Sequence, residues 1–189
     1  MKIGLYFGSF NPIHHGHLII ATHIVQNTNL DQVWFVVSPQ NPLKTSSGLL
    51  NEYHRLHLIH LAIEGMDKLR TSDIEFHLPR PSFTIDTLTY LDEKYPQHKF
   101  SVVMGSDSYQ NLPRWKNYQQ ILTNYEIFVY LRPAYEMPNP LPPHIQVIKA
   151  PLLEISATHI RHNLANHKSI RYLVPDKVLE EIDRNRYYQ

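Results

Sequence analysis

The sequence predicts an α/β protein: a doubly wound parallel sheet with a small helical part at the C-terminus. Three observations carry the prediction. Apolar strand candidates alternate with helix-like segments along most of the chain, the β-α-β-α order of a parallel sheet. Residues 33–37, 102–104 and 127–131 are near-continuous apolar runs, as strands covered by helices on both faces require. Two of the six glycines, Gly8 and Gly105, stand directly after strand candidates, where a missing Cβ lets a ligand approach the backbone.

The elements follow in order. Residues 2–7 read as the first strand, and 16–27 as the first helix, with Leu18, Ile19, Ala21, Ile24 and Val25 at helical spacing. A second strand is expected at 32–38, a helix at 51–64, a third strand at 70–76 and a helix at 84–95. Strands at 99–104 and 126–131 flank a helix at 115–123, and residues 133–143, with five prolines, form an extended loop before a last strand at 145–149. Helices at 158–167 and 176–185 complete the chain.

With 189 residues and 42% hydrophobic content, residues 1–189 are expected to form one domain. A net charge of +1 gives no polycationic footprint, so no nucleic-acid partner is expected. The absence of cysteine excludes a disulfide scaffold and thiolate chemistry. No run approaches the ~18 apolar residues of a membrane span, and a cytoplasmic protein without membrane contact is expected; a homo-oligomer is compatible with the sequence.

The turn from Gly8 through Ser9, Phe10, Asn11, Pro12, Ile13, His14, His15 and Gly16 to His17 joins the first strand to the first helix. Such a turn aims backbone N–H groups and the positive end of a helix dipole at one point, which suits a phosphate. His14 and His17, three apart, add donors on one side that can follow charge developing on a phosphoryl group. A zinc site is the weaker reading, because His15 points away from that pair. The row of His54, His57 and His60 drifts around its helix and reads as a polar flank. Near the other end, Ser156 or Thr158 can cap a helix, and Arg161 adds a fork of donors for phosphate oxygens. Neither G-x-G-x-x-G nor G-x-x-x-x-G-K-[ST] is present, so hydride-transfer and P-loop readings lose their main support.

The first turn, as G-x-F-x-P-x-H-x-G-H, resembles the signature of the nucleotidylyltransferase superfamily. Ile155, Ser156, Ala157, Thr158, His159, Ile160 and Arg161 resemble its second motif, I-S-S-T-x-I-R, with Ala157 replacing a serine. Three further stretches are similar to the nicotinate-nucleotide adenylyltransferase family: residues 81–88, residues 104–108 followed by Leu112, Pro113, Arg114 and Trp115, and residues 172–175. The resemblance spans essentially the whole chain and implies a Rossmann-like nucleotidylyltransferase fold. It also implies adenylyl transfer from ATP to nicotinate mononucleotide, forming nicotinate adenine dinucleotide and pyrophosphate in NAD biosynthesis.

On that resemblance, ATP is expected at Gly8, Ser9, Phe10, His14, Gly16, His17, Lys44, Gly105, Asp107, Ile155, Ser156, Thr158 and Arg161, with His14, His17 and Arg161 as the catalytic groups. The pyridine nucleotide is expected at Ser82, Phe83, Thr84, Trp115 and Arg132. Amide donors at residues 82–84 suit a carboxylate, and an aromatic face suits a flat pyridinium. Several readings stay double: Asp107 as a ribose acceptor or a helix N-cap, Gly105 as a ligand approach or a turn needing positive φ, Trp115 as substrate contact or core. Lys44 is a lone loop lysine, and the family's P-P-H-K pattern is broken here across residues 39–44. Mg²⁺ is expected to be carried by the ATP phosphates, with no protein metal site. The competing expectations are phosphopantetheine adenylyltransferase, in which threonine stands where His14 does, and a non-catalytic nucleotide-binding regulator.

Overall fold

The structure is a computed structural model and describes residues 1–40, 48–133, 135–151 and 153–189. Among these residues six strands form one sheet: β1 (Lys2–Gly8), β2 (Gln32–Val37), β3 (Leu69–Ser72), β4 (Lys99–Gly105), β5 (Glu126–Tyr130) and β6 (Ile145–Ile148). Their order is β3-β2-β1-β4-β5-β6 and each neighbouring pair is parallel. Strand order reverses between β1 and β4, and a crevice opens there beyond the carboxyl ends of the strands. Gly8 ends β1 and Gly105 ends β4, so both predicted glycines flank it.

The helices are α1 (His15–Asn27), α2 (Glu52–Ala62), α3 (Thr84–Lys94), α4 (Ser106–Gln110), α5 (Tyr118–Asn124), α6 (Ala157–Ala165) and α7 (Asp176–Asn185). They cover both faces of the sheet because successive strand residues point to opposite sides. Tyr6, Phe35, Val103 and Phe128 join a cluster with Ile24 of α1, Leu58 of α2, Ile160 of α6 and Val178 of α7. Leu5, Val36, Val102 and Ile127 join the opposite cluster with Leu88 and Leu91 of α3 and Ile121 of α5. The doubly wound arrangement follows from these two-sided strands. Among the described residues no helix is long and apolar enough to cross a membrane.

The third strand is shorter than its apolar run suggested. It ends at Ser72, and a 3-10 turn, Ile74–His77, takes over the residues expected to continue it. Ser72 Oγ accepts from the Ile74 N–H at 3.4 Å and the Phe76 N–H donates to Asp73 O at 2.8 Å, so local turn bonds replace the ladder. The helix expected at 115–123 starts at Tyr118, because Asn117 takes a left-handed conformation (φ 50). Before it lie α4 and a 3-10 turn, Leu112–Arg114, neither of which has an apolar period to betray it.

Candidate active site

A cavity of about 760 Å³ occupies the crevice, and its wall gathers residues from both sequence motifs and from the start of α3. Of the expected site residues, Gly8, Ser9, Phe10, His14, His17, Ser82, Phe83, Thr84, Gly105, Asp107, Trp115, Arg132, Ile155, Ser156, Thr158 and Arg161 line it. Gly16 lies in the first turn of α1, buried against the His14 ring. Lys44 lies outside the described residues.

His14 and His17 do share one side: their rings stack with centroids 3.7 Å apart and an interplanar angle of 26°. His14 is the N-cap residue of α1 and is 5% exposed, with its Nδ1 buried and making no hydrogen bond. Burial, then the nearby positive charges of Arg132 and His15, lowers its pKa from 6.5 to about 4, so the imidazole is neutral at pH 7. The His17 ring packs edge-on against Phe10 and Tyr6. Fewer helix-end amides are free than the motif suggested. The His15 N–H donates to Leu173 O at 3.0 Å, and the His17 N–H turns back to His14 O at 3.0 Å. The segment around Leu173, singled out by resemblance, thus braces the start of α1.

Both glycines lie on the cavity wall, and each also makes room for the chain's own side chains. A Cβ on Gly8 would meet the Phe10 ring at 2.9 to 3.1 Å, and one on Gly105 would collide with Asp107 Oδ1 and press on the Tyr130 ring at 3.1 Å. Gly105 has φ −78, so it is not a turn needing positive φ. Phe10, at φ 45 and 3% exposed, turns its ring inward onto Phe35 and His17, forming a floor beneath the histidines.

At the second motif Ser156 is the cap, its Oγ accepting from the His159 N–H at 3.1 Å, which settles the choice between Ser156 and Thr158. Arg161 joins the motifs: Nη1 donates to Asn11 O at 2.7 Å and Nη2 to Thr158 Oγ1 at 3.3 Å. Asp107 is not the N-cap of α4, a place held by Gly105; it pairs instead with Arg132, Nε to Oδ1 at 3.4 Å. Arg132 therefore stands beside Asp107 and within electrostatic reach of His14, and its backbone N–H donates to Ser106 Oγ at 2.9 Å. The hydroxyls of Tyr6 and Tyr130 meet at 3.1 Å beneath this wall, and burial raises the Tyr6 phenol.

Elsewhere on the wall, α3 starts at Thr84 with Phe83 as its N-cap residue and no side-chain cap. Trp115 both lines the cavity and packs on the second apolar cluster, so its two readings merge. Lys116 Nζ bridges to both Asp86 carboxylate oxygens at 2.9 and 2.8 Å and lies 5.0 Å over the Phe83 ring, clasping the two segments together.

Sequence reasoning missed three supports. Arg55 is fully buried and donates to four carbonyls: Ser9 O at 2.6 Å, Leu50 O at 2.7 Å, Ser38 O at 3.0 Å and Pro39 O at 3.3 Å. Burial lowers its pKa to about 10, so it stays charged at pH 7. Asn11 accepts from the Leu50 N–H at 3.1 Å and donates to Gly48 O at 3.0 Å. Glu75, 2% exposed, accepts from Ser82 Oγ at 2.7 Å and Thr87 Oγ1 at 3.0 Å. Arg55, three residues before Leu58 and four before Ile59, and Glu75, between Ile74 and Phe76, were visible as charges inside apolar patterns. The histidine row on α2 faces α7: His54 Nδ1 meets the Tyr187 hydroxyl at 2.9 Å and His57 lies 3.6 Å from Glu181. Among the described residues no group of three or more His, Cys, Asp or Glu could hold a metal.

Comparison with known proteins gives a consistent picture. The cytidylyltransferase-like family profile matches residues 5–163. The chain is 52% identical to a probable nicotinate-nucleotide adenylyltransferase of Flavobacterium psychrophilum, with all of both chains covered. It is 52% identical to one of Cytophaga hutchinsonii over 100% of this chain and 98% of the relative, and 44% identical to one of Bacteroides fragilis over 96% and 90%. The fold matches that of the Plasmodium falciparum nicotinic acid mononucleotide adenylyltransferase complexed with NaAD, with a TM-score of 0.83 at 20% identity over 99% of this chain and 97% of the other.

Proposed function

The chain belongs to the nicotinate-nucleotide adenylyltransferases of the cytidylyltransferase-like family, and we propose that its cavity joins ATP to nicotinate mononucleotide, releasing pyrophosphate. The observation that carries this reading is the meeting of two distant helix starts, α1 and α6, on one cavity, tied by the bond from Arg161 to Asn11 O at 2.7 Å. Elsewhere on the same wall are Trp115 and the uncapped start of α3.

The donors divide the work. Imidazoles, a guanidinium and helix-end amides suit phosphate oxygens, so the triphosphate lies along residues 8–17 and 155–161. Asp107 accepts ribose hydroxyls. Residues 82–84 offer backbone donors to the pyridine carboxylate, and Trp115 gives its face to the ring. The 5′-phosphate oxygen of the mononucleotide then attacks the α-phosphorus in line. A new O–P bond forms, the bond to the bridging oxygen breaks, and pyrophosphate leaves with that electron pair. No protein nucleophile takes part. His14, His17 and Arg161 stabilise the charge that builds on the α-phosphate and the leaving group, and positioning supplies the rest. Held by the triphosphate and not by side chains of this protein, a Mg²⁺ ion would supply neutralisation of the phosphate charge.

The test is pyrophosphate release from ATP with nicotinate mononucleotide, nicotinamide mononucleotide and phosphopantetheine as acceptors. The reading requires turnover with a pyridine mononucleotide, the acid form preferred. Phosphopantetheine as the preferred acceptor, or binding without turnover on all of them, overturns it. His17→Ala should lower turnover by ~10²- to 10³-fold with the fold intact. Unchanged turnover in that variant removes His17 from the catalytic set.

A further inference from the structure

In the wall at the acceptor end of the cavity stands a buried carboxylate to which the transfer chemistry gives no part. Glu75 is 2% exposed on the 3-10 turn after β3, and among the described residues no lysine or arginine ion-pairs with it. A carboxylate in such a place is costly unless donors surround it. Here the donors are hydroxyls: Ser82 Oγ at 2.7 Å, from the loop before α3, and Thr87 Oγ1 at 3.0 Å, from the inner face of α3. The Ser38 hydroxyl, just past β2, adds a third contribution. Burial raises the carboxyl's pKa and the three hydroxyls oppose the rise.

We propose that Glu75 is a positioning residue for the pyridine nucleotide: its carboxylate grips Ser82 and Thr87 and so fixes the start of α3 against the sheet. The inference rests on the function proposed above. An ionised carboxylate only accepts, so the Ser82 hydroxyl turns its proton toward it, and the Thr87 hydroxyl donates to it at 3.0 Å with Phe83 O as a second acceptor at 3.3 Å. That fixes the 82–84 backbone relative to β3, which is itself locked to β2 by the pairing of Val33 with Leu69 through Val36 with Ser72. The frame of the sheet is thereby passed to the amides expected to meet the substrate's carboxylate. Ser82 is spent in this grip, so its hydroxyl is not the substrate's donor.

Thr87 allows a clean test, because it is fully buried and is not part of the cavity wall. In the full-length protein, Thr87→Val removes one hydroxyl at nearly constant volume and should raise KM for nicotinate mononucleotide about three- to tenfold, the size of one ordinary net hydrogen bond. KM for ATP and kcat should stay within about twofold, and Thr87→Ser should restore the wild-type acceptor KM. Glu75→Gln, a second route should Thr87→Val fold poorly, should raise the acceptor KM in the same selective way. A folded Thr87→Val or Glu75→Gln protein with unchanged acceptor KM, or with both substrates' KM values raised alike, overturns the inference. A wild-type protein that does not turn over nicotinate mononucleotide overturns the functional reading, and this one with it; wild-type turnover with an indifferent Thr87→Val overturns this one alone.

Discussion

Burial keeps His14 neutral at pH 7 while a phosphate ligand favours its cation, and the opposition is measurable. Its pKa is lowered from 6.5 to about 4, first by burial and then by Arg132 and His15. The folded chain therefore binds fewer protons at this site than the unfolded chain between those two values. Stability from His14 is fully present above pH ~6.5 and is lost as pH falls through that window, by on the order of 3 kcal/mol. Urea unfolding at pH 7.5 and 4.5 should show a smaller acid loss for His14→Gln than for wild type; equal losses would mean that His14 is not the desolvated group. A triphosphate beside the ring pulls the pKa the other way, since an opposite charge favours the cation. ATP binding near pH 6 should then be accompanied by proton uptake at this ring. The check is the dependence of calorimetric binding enthalpy on the ionisation enthalpy of the buffer, and the proton uptake should be smaller in His14→Gln.

At the scale of elements, Arg55 holds the loops together. Its guanidinium joins the carbonyls of Ser9 beyond β1, Ser38 and Pro39 beyond β2, and Leu50 before α2. Removing it strands those carbonyls, so Arg55→Met should cost about 3 to 5 kcal/mol in urea unfolding. Arg55→Lys should recover only part, since an ammonium lacks the planar fork. This support also marks where the sequence stops being legible. The strands and α1, α2, α3, α6 and α7 were readable because their apolar periods are long. The motif residues were readable because each motif is contiguous. Arg55 and Glu75 stood out only as charges in apolar patterns, since their partners are backbone carbonyls and hydroxyls from distant segments, which leave no sequence mark. The end of β3 at Ser72 and the existence of α4 were set by local turn bonds that compete with weak apolar runs. The link from Arg161 to Asn11 joins both motifs, yet only the folded chain brings them within reach.

Across the whole molecule, one helix that closes a face of the sheet contributes nothing to the cavity wall. The helix α7 buries Val178 and Ile182 completely in the cluster shared with α1, α2 and α6, while none of its residues lines the cavity. Its contacts run to α2, through the His57–Glu181 pair and the Tyr187–His54 bond just beyond its end. Stability and chemistry can therefore be varied independently. Val178→Ala deletes two buried methyl groups and leaves a void in a close-packed cluster, a loss of about 2 kcal/mol from lost transfer energy and the cavity together. That is a sizeable part of the ~5 to 15 kcal/mol expected of a domain, yet it leaves most molecules folded at 25 °C. Urea midpoints should fall accordingly, while kcat and both KM values, measured well below the thermal midpoint on the same preparation, should stay within about twofold of wild type. Thr87→Val is expected to behave differently, shifting the acceptor KM selectively. If Val178→Ala alters kcat in a protein that is still folded, α7 acts on the crevice through α2 and Arg55, and the separation of scaffold from site is wrong.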